Sequence, residues 1–378
     1  MLFDTYCADC GDKTLTHLNA WIDSLTGLFS PKKSLLPARL ERLLEYFLDK
    51  FLELIGAWTE VAEFVPKSEK MQMILAAASA SGLRITMLKG PFGETEQYKL
   101  YLNNKTFRFE GMPLGEVGEY KLKYAIDDKY WTKQKLIAFG FPACQGKKFN
   151  ILNRSSALKY ALRLPCPVVV KPVSGTFSRH VFLDIQGEEA IINAINSVCR
   201  YSPSFIVEEF IAASTVFRAT VIDKQDVFVA KCIPAQVIGD GISPLSELIN
   251  HSEIVNKGSV IEELRFQSIN IQTIPKLGEH ISIHKDPFMR YGATYLDITG
   301  EVDKSNLELF RNVATKFDLR VVGIDFLAKD LSKPWNTQKS AVLELNSCPS
   351  IELNKLPNLY GIQPVAQSII TMVKKHYK

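Results

Sequence analysis

The sequence predicts an α/β fold in which a helical segment precedes a region of alternating helices and strands. The first observation is an amphipathic pattern over residues 35–64, where apolar side chains recur every three or four positions. The second is the alternation of helical and short apolar patterns from residue 121 onward. The third is a pair of apolar runs, 320–327 and 341–346, which resemble buried strands and carry acidic side chains.

The elements follow from these patterns in chain order. The helix over 35–64 should end before Pro66, since proline cannot continue it. An Ala-rich helix over 71–81 ends at Gly82. The remaining predicted elements are a strand at 83–88, a hairpin of strands 98–102 and 105–109, a helix at 129–139, a strand at 168–170, a helix at 187–198, a strand at 205–207, an antiparallel pair at 217–222 and 227–233, and a helix capped by Asp303.

Composition restricts the class of protein. The chain has 378 residues, of which 46% are hydrophobic and 23% charged, as in ordinary soluble globular proteins. We expect no membrane association, because no apolar run approaches the roughly 20 residues that a membrane span needs. The start of the chain lacks a secretory signal pattern, so we expect a cytoplasmic protein. A formal net charge of +4 without a dense basic tract argues against nucleic-acid binding. A homodimer is possible.

The seven cysteines are scattered and odd in number, which indicates a reducing compartment rather than a disulfide framework. Cys7 and Cys10 have the spacing of a zinc knuckle or a redox pair. A zinc site needs four ligands, and only His17 follows nearby, so two ordinary thiols are the simpler interpretation. We interpret Cys348 as a packing or loop residue rather than a catalytic thiol.

The run 341–346 places a carboxylate and an amide inside an apolar segment. Glu344 and Asn346 are two residues apart, so in a strand they project from the same face. Asp325 lies in the other apolar run, two residues after Gly323. A buried carboxylate needs a partner, and oxygen ligands of this kind suit Mg²⁺. The alternative for each acid taken singly is a structural ion pair. Together they predict a metal and nucleotide site.

A lysine and a pair of acids follow two further strands. Lys171 ends an apolar strand beside a loop rich in small residues, and such a loop can present an ammonium group and amides to phosphate oxygens. An exposed lysine at a strand end is the alternative. Glu208 and Glu209 end the strand that begins at residue 205, where acids could accept hydrogen bonds from a nucleotide.

The order of these motifs resembles the ATP-grasp superfamily, in which ATP phosphorylates a carboxylate and an amine captures the acyl phosphate. The ordered motifs are Asp128-Lys129, Lys171-Pro172, Val207–Phe210, Gly323–Asp325 and Leu343–Pro349. Residues 234–249 and 292–299 are similar to segments shared by cyanophycin synthetases and bifunctional glutathione synthetases. The likeness extends from about Tyr124 to Ile370.

The resemblance implies a role for each matching residue. ATP and Mg²⁺ would be the cofactors, and a carboxylate and an amine, small molecules or peptides, the substrates. The implied nucleotide-binding residues are Lys129 and Lys171 at the phosphates, Ser174, Gly175 and Thr176 in a flap over them, and Glu208, Glu209, Phe210 and Ile211 around the adenine. The implied Mg²⁺ ligands are Asp325, Glu344 and Asn346. The implied catalytic cations are Arg218, Arg290 and Lys231, although Arg218 could be a surface arginine.

Three departures from the family pattern stand out. The flap is poorer in glycine than usual, Ser350 stands where glycine is usual, and Cys232 stands where the subgroup more often has a basic residue, with Lys231 beside it. The chain also ends at Lys378, without the second ligase domain of a cyanophycin synthetase, so we expect it not to be that complete enzyme.

The resemblance implies the ATP-grasp fold and three domains. We expect a helical region at 1–66, a preceding α/β domain at 67–123, and an ATP-grasp domain at 124–378 with subdomains at about 124–205 and 206–378. The expected activity is ATP-dependent formation of an amide or peptide bond through an acyl phosphate. Two alternatives remain open: a small-molecule kinase of the same superfamily, or a degenerate nucleotide-binding scaffold that acts as a partner subunit.

Overall fold

The computed structural model describes residues 21, 47, 50–55, 57–60, 68–90, 93–113, 125–126, 128–173, 180–212, 214–252, 260, 264, 269–283, 292–356 and 361–377. Several predicted features lie outside these residues: Cys7 and Cys10, most of the predicted N-terminal helix, the flap residues Ser174, Gly175 and Thr176, and Arg290.

The first part of the described chain forms an antiparallel sheet covered by a helix. Its elements are β1 (Trp58–Glu60), α1 (Glu69–Ala80), β2 (Arg84–Gly90), β3 (Gly93–Leu102) and β4 (Lys105–Glu110). The strands lie in the order β1-β2-β3-β4. The predicted hairpin is confirmed: Asn103 and Asn104 connect β3 to β4 with φ values of 52° and 60°, a conformation that asparagine tolerates better than most residues.

The predicted helix over 35–64 is wrong at its C-terminal end. Residues 50–54 are helical, but Trp58–Glu60 is a strand that pairs with β2, with Trp58 opposite Leu88. The apolar periodicity does not indicate this change from helix to strand, because a short edge strand forms only where a neighbouring strand can hydrogen-bond to it. Gly56 in the sequence is the one local signal that a helix should end here.

The second sheet has helices on one face. Its region contains α2 (Lys129–Ala138), β5 (Gly146–Asn150), α3 (Arg154–Ala161), β6 (Val168–Pro172), β7 (Phe182–Ile185), α4 (Glu188–Tyr201) and β8 (Ser204–Glu209). The strand order is β5-β8-β6-β7, and the neighbouring strands are antiparallel. Apolar side chains of α3 and α4, such as Ala157 and Ile195, form a core with Val170 and Val207.

The third sheet has five strands in the described part of the chain and carries the two acids predicted to bind metal, Asp325 and Glu344. This region contains β9 (Thr215–Ile222), β10 (Asp226–Ile233), β11 (Gln236–Ile238), α5 (Leu245–His251), β12 (His280–Ser282), β13 (Thr294–Asp297), α6 (Lys304–Lys316), β14 (Val321–Ala328), β15 (Ala341–Asn346), a 3₁₀ turn (Ile351–Asn354) and α7 (Pro364–His376). The order is β13-β10-β9-β14-β15, while β11 and β12 form a separate pair.

The two faces of the third sheet differ in polarity. One face packs on α6, whose Phe310 and Val313 are buried with Phe217, Val322 and Phe326. Asp303 caps α6 as predicted, since its carboxylate accepts a hydrogen bond of 2.8 Å from the Ser305 amide. The opposite face carries the charged residues described below.

The C-terminal helix connects the third sheet to the first one. Side chains of α7, including Ile369 and Val373, share a core with Met71 and Ile74 of α1. Within the described part of the chain, no helix combines the length and the apolar character that crossing a membrane would take.

Candidate functional site

The register of the third sheet aligns three charged residues across neighbouring strands. Asp325 on β14 lies opposite Arg218 on β9 and opposite Glu344 on β15. Gly323, two residues earlier, lies opposite Asn346. Because residues two apart share a face, Asp325, Glu344 and Asn346 project from the same side of the sheet. The structure therefore brings the three predicted metal ligands together, with Arg218 beside them.

A close approach at Gly323 fixes the loop that follows β15. A Cβ atom on Gly323 would lie 2.8 Å from Cβ of Pro349 and 3.4 Å from Cβ of Asn346. Only glycine therefore leaves room for the loop to fold back over the sheet beside Asn346. The glycine before Asp325 in the sequence has this steric reason.

Asp325 is held between a cation and a second acid. The Arg218 guanidinium binds both of its carboxylate oxygens, the Nη2–Oδ2 distance being 3.0 Å, and Asn346 Nδ2 lies 3.4 Å from Oδ2. Burial and the facing Glu344 carboxylate raise the pKa of Asp325 to about 6, although Arg218 acts in the opposite direction. The carboxylate pair can thus hold one proton up to about pH 6.

Glu344 is paired with the predicted phosphate lysine of α2. Lys129 Nζ lies 2.8 Å from Glu344 Oε2. Burial would raise the pKa of Glu344, but Lys129 and a hydrogen bond from Asp325 outweigh it and lower the pKa to about 2. The alternative expectation for the two acids, membership of ion pairs, is therefore also met by the structure.

The start of α2 places Lys129 beside the end of β6. Asp128 caps the helix by accepting hydrogen bonds of 2.9 Å from the amides of Tyr130 and Trp131. The Lys129 amide donates to the carbonyl of Val173 at 3.1 Å, two residues after Lys171. α2 consequently bridges the second and third sheets and brings both predicted phosphate lysines to one region.

Lys171 belongs to a buried cluster of three charges. Its ammonium lies 2.6 Å from Glu208 Oε1, and Lys133 of α2 binds Oε2 of the same carboxylate. Burial would lower the pKa of Lys171, but Glu208 outweighs it, and the pKa is raised. Burial would likewise raise the pKa of Glu208, but Lys171 and Lys133 lower it. Lys171 and Glu208 are therefore both charged at neutral pH.

Curated relatives match most of this chain over part of their own length. No family model matches the chain. A cyanophycin synthetase from Trichormus variabilis is 27% identical over 262 residues, covering 65% of this chain and 29% of that protein. A glutathione biosynthesis bifunctional protein from Streptococcus mutans is 25% identical over 308 residues, covering 76% of this chain and 39% of that protein. The chain thus spans less than two fifths of the length of these curated relatives.

The fold is recognised by superposition on a solved structure. The crystal structure of a bifunctional glutathione synthetase from Pasteurella multocida superimposes with a TM-score of 0.56 and 20% identity, covering 81% of this chain and 43% of that one. The chain has the ATP-grasp fold. The likeness to cyanophycin and glutathione synthetases that the motifs indicated is confirmed by the sequence comparison.

The segment expected around adenine in the ATP-grasp site forms the end of β8 and the loop after it. Glu209 accepts a hydrogen bond of 2.9 Å from the Gln145 amide and pairs with Lys339 at 2.8 Å. The Phe210 amide donates to the Pro167 carbonyl at 2.8 Å, and Ile211 is buried. Glu208 is only 2% exposed, because its side chain faces the two lysines. The adenine roles stay predictions.

Lys231 is a correction to the expected set of cations. It lies opposite Phe217, whose side chain is in the core on the α6 face, whereas its neighbour Ala230 lies opposite Arg218. Strand parity therefore directs Lys231 away from the Arg218 face. Cys232 has the parity of the charged face, and a hydrogen bond joins it to Tyr295 of β13.

Sequence reasoning missed two residues that the structure places among these polar groups, Lys133 beside Glu208 and Tyr295 beside Cys232. Lys133 is one helical turn after Lys129, so the spacing could have indicated a second lysine on the same side of α2. Tyr295 had no comparable signal, since its place depends on the pairing of β13 with β10. Burial raises the pKa of its phenol, so the hydroxyl stays protonated at neutral pH.

Proposed function

We propose that the protein is an ATP-dependent carboxylate–amine ligase that forms an amide or peptide bond through an acyl phosphate and releases ADP and phosphate. The observation that carries this proposal is the pairing of Lys129 with Glu344, which faces Asp325, in an ATP-grasp fold. The Lys129 amide also donates to the carbonyl of Val173, two residues after Lys171, so both lysines belong to one region. The similarity to cyanophycin and glutathione synthetases supports the class of reaction.

The donor set fits Mg²⁺. Asp325, Glu344 and Asn346 offer two carboxylates and one amide oxygen on one sheet face, and magnesium prefers such hard oxygen ligands together with water and phosphate. In the described part of the chain, no group of three His, Cys, Asp or Glu side chains could hold a metal by itself. An amide and substrate oxygens would therefore complete the coordination, as is usual for a magnesium–nucleotide site.

Each cation near the carboxylates has a definite task in this proposal. A bound Mg²⁺ ion would neutralise charge on the nucleotide phosphates. Lys129 and Lys171 would bind the phosphate oxygens and orient the terminal phosphoryl group toward the substrate carboxylate. Arg218, partly buried beside Asp325, would oppose the rise in the pKa of that carboxyl group and face the reacting groups.

The remaining nucleotide contacts are also part of the proposal. Glu209, Phe210 and Ile211 would line the base, and Ser174, Gly175 and Thr176 would cover the phosphates. Arg290 would add a cation near the substrate. We further propose that the protein works in the cytoplasm. We also propose that it forms a homodimer, which light scattering after size-exclusion chromatography would check.

No nucleophilic side chain is required by this chemistry. The buried Cys144 lies close to the Lys171 cluster, but burial raises the pKa of its thiol to about 12, so it remains a thiol at neutral pH. The protein's contribution is instead to position the two substrates and to exclude water, which would otherwise hydrolyse the acyl phosphate.

The experiment is a screen for ATP cleavage with pairs of amino acids and peptides, with hydroxylamine offered in place of the amine. The expected products are ADP, phosphate and, with hydroxylamine, a hydroxamate. Formation of AMP and pyrophosphate would refute the acyl-phosphate route. A stable phosphorylated product would support the kinase alternative. Nucleotide binding without cleavage, together with a co-purified protein, would support the scaffold alternative.

A further inference from the structure

Lys133 is a buried cation that the reaction itself does not use. It lies on α2, one turn after Lys129, and is 5% exposed. Its ammonium binds Glu208 Oε2 and donates a hydrogen bond of 3.0 Å to the Cys144 carbonyl. A lysine is rarely buried to this degree unless its charge is paired, so its position calls for an explanation.

The cluster contains two ammonium groups and one carboxylate. Each oxygen of Glu208 binds one lysine, Oε1 to Lys171 and Oε2 to Lys133. The three side chains are 8%, 6% and 2% exposed for Lys171, Lys133 and Glu208 respectively. The cluster thus carries one net positive charge in a place that water scarcely reaches, and an anion there would be favoured.

The two lysines differ in how they are held. Lys133 is fixed by two acceptors, Glu208 and the Cys144 carbonyl. Lys171 follows the apolar part of β6 and lies two residues before Val173, whose carbonyl accepts from the Lys129 amide. Lys171 is therefore the member of the cluster next to the predicted phosphate site, while Lys133 is the member farther along α2.

We propose that Lys133 is a positioning residue that shares the charge of Glu208 so that Lys171 can bind a nucleotide phosphate. This inference rests on the proposed function. With Lys133 present, Glu208 is bound to two cations, and the surplus charge makes Lys171 receptive to an anion. Without it, Glu208 and Lys171 form a neutral pair, and a phosphate must compete with Glu208 for the ammonium group.

The test compares the ADP affinity of a single variant, which the inference predicts to fall, with that of a double variant, which it predicts to recover. Lys133→Met should weaken ADP binding by about tenfold, the effect of losing one charge-assisted contact. Lys133→Met combined with Glu208→Gln restores a surplus cation at Lys171, so ADP affinity should return toward the parent value. Lys133→Arg keeps the charge and should bind ADP more tightly than Lys133→Met. Titration calorimetry measures all of these without any carboxylate or amine substrate.

A matched control separates this role from a merely structural one. Lys135→Met changes an exposed lysine of the same helix and should leave ADP affinity unchanged. If Lys133 only stabilised the fold, the double variant would bind ADP no better than the single one, and that result would overturn the inference. Parent-like ADP binding by Lys133→Met would overturn it as well. A parent protein that binds ADP but shows no ligase activity refutes the proposed function alone, whereas absence of ADP binding refutes both.

Discussion

Replacing Glu344 by glutamine should remove Mg²⁺-dependent turnover at little cost in stability. The glutamine keeps the shape of the side chain but loses the ion pair with Lys129, whose N–O distance is 2.8 Å. The side chains of Lys129 and Glu344 are 15% and 28% exposed, so the pair contributes about 1 kcal/mol or less after solvent screening. Part of that loss is offset, because Asp325 no longer faces a second carboxylate.

The effect on the chemistry should be much larger than the effect on folding. One of the two carboxylates offered to the ion is removed, and loss of even an outer partner of a metal ligand costs about 10- to 100-fold. We therefore expect turnover to fall by at least about 100-fold at saturating Mg²⁺. A loss of about 1 kcal/mol corresponds to a shift in Tm of roughly 2 °C for a chain of this size. ADP release and thermal unfolding measure the two quantities separately.

The matched control is Glu69→Gln, which removes a glutamate–lysine pair with Lys355 at the surface. It should keep full turnover and nearly the parent Tm. Full Mg²⁺-dependent turnover in folded Glu344→Gln would refute the metal assignment. A fall in Tm several times larger than expected would show that Glu344 mainly supports the fold.

Three further outcomes follow from the geometry. Lys171→Met and Lys129→Met should each weaken ATP binding by about 1.5–3 kcal/mol, and parent-like titrations would show that neither reaches a phosphate. Gly323→Ala should displace the loop carrying Pro349 and lower stability by about 1–3 kcal/mol, which urea unfolding would measure; an unchanged midpoint would contradict the close approach. Burial would raise the pKa of Asp223, but its hydrogen bonds with Lys375 and His376 of α7 outweigh burial and lower the pKa. The stabilisation is therefore present above the usual pKa of 3.8 and is lost as pH falls. Asp223→Asn should therefore lower Tm at pH 7 more than at pH 3.

Local patterns sufficed for the elements that local chemistry determines. The two asparagines of the β3–β4 hairpin and the Asp303 cap of α6 could be predicted because each depends on residues a few positions away. The functional importance of Asp325 and Glu344 could also be predicted, since a carboxylate inside an apolar strand requires a partner. Their direct pairing across β14 and β15 needed the sheet register.

Long-range pairing explains what the sequence could not reveal. β1 is a strand because it pairs with β2, although its residues continue the apolar period of a helix. Lys133 reaches Glu208, 75 residues away in the chain, because α2 packs beside the end of β8. Neither contact leaves a mark in the local sequence, so periodicity alone could not identify them.

Lys231 cannot take the place of a basic residue at position 232, although it is the adjacent residue of β10. Successive side chains of β10 point to opposite faces, and the register with β9 places the Arg218 face on the side of Ala230 and Cys232. A lysine one position away is therefore separated from the site by the sheet itself. At Cys232, burial raises the pKa of the thiol to about 11, and its partner Tyr295 also stays protonated. The side of Arg218 toward β10 thus presents two uncharged polar groups, a thiol and a phenol, rather than a second positive charge.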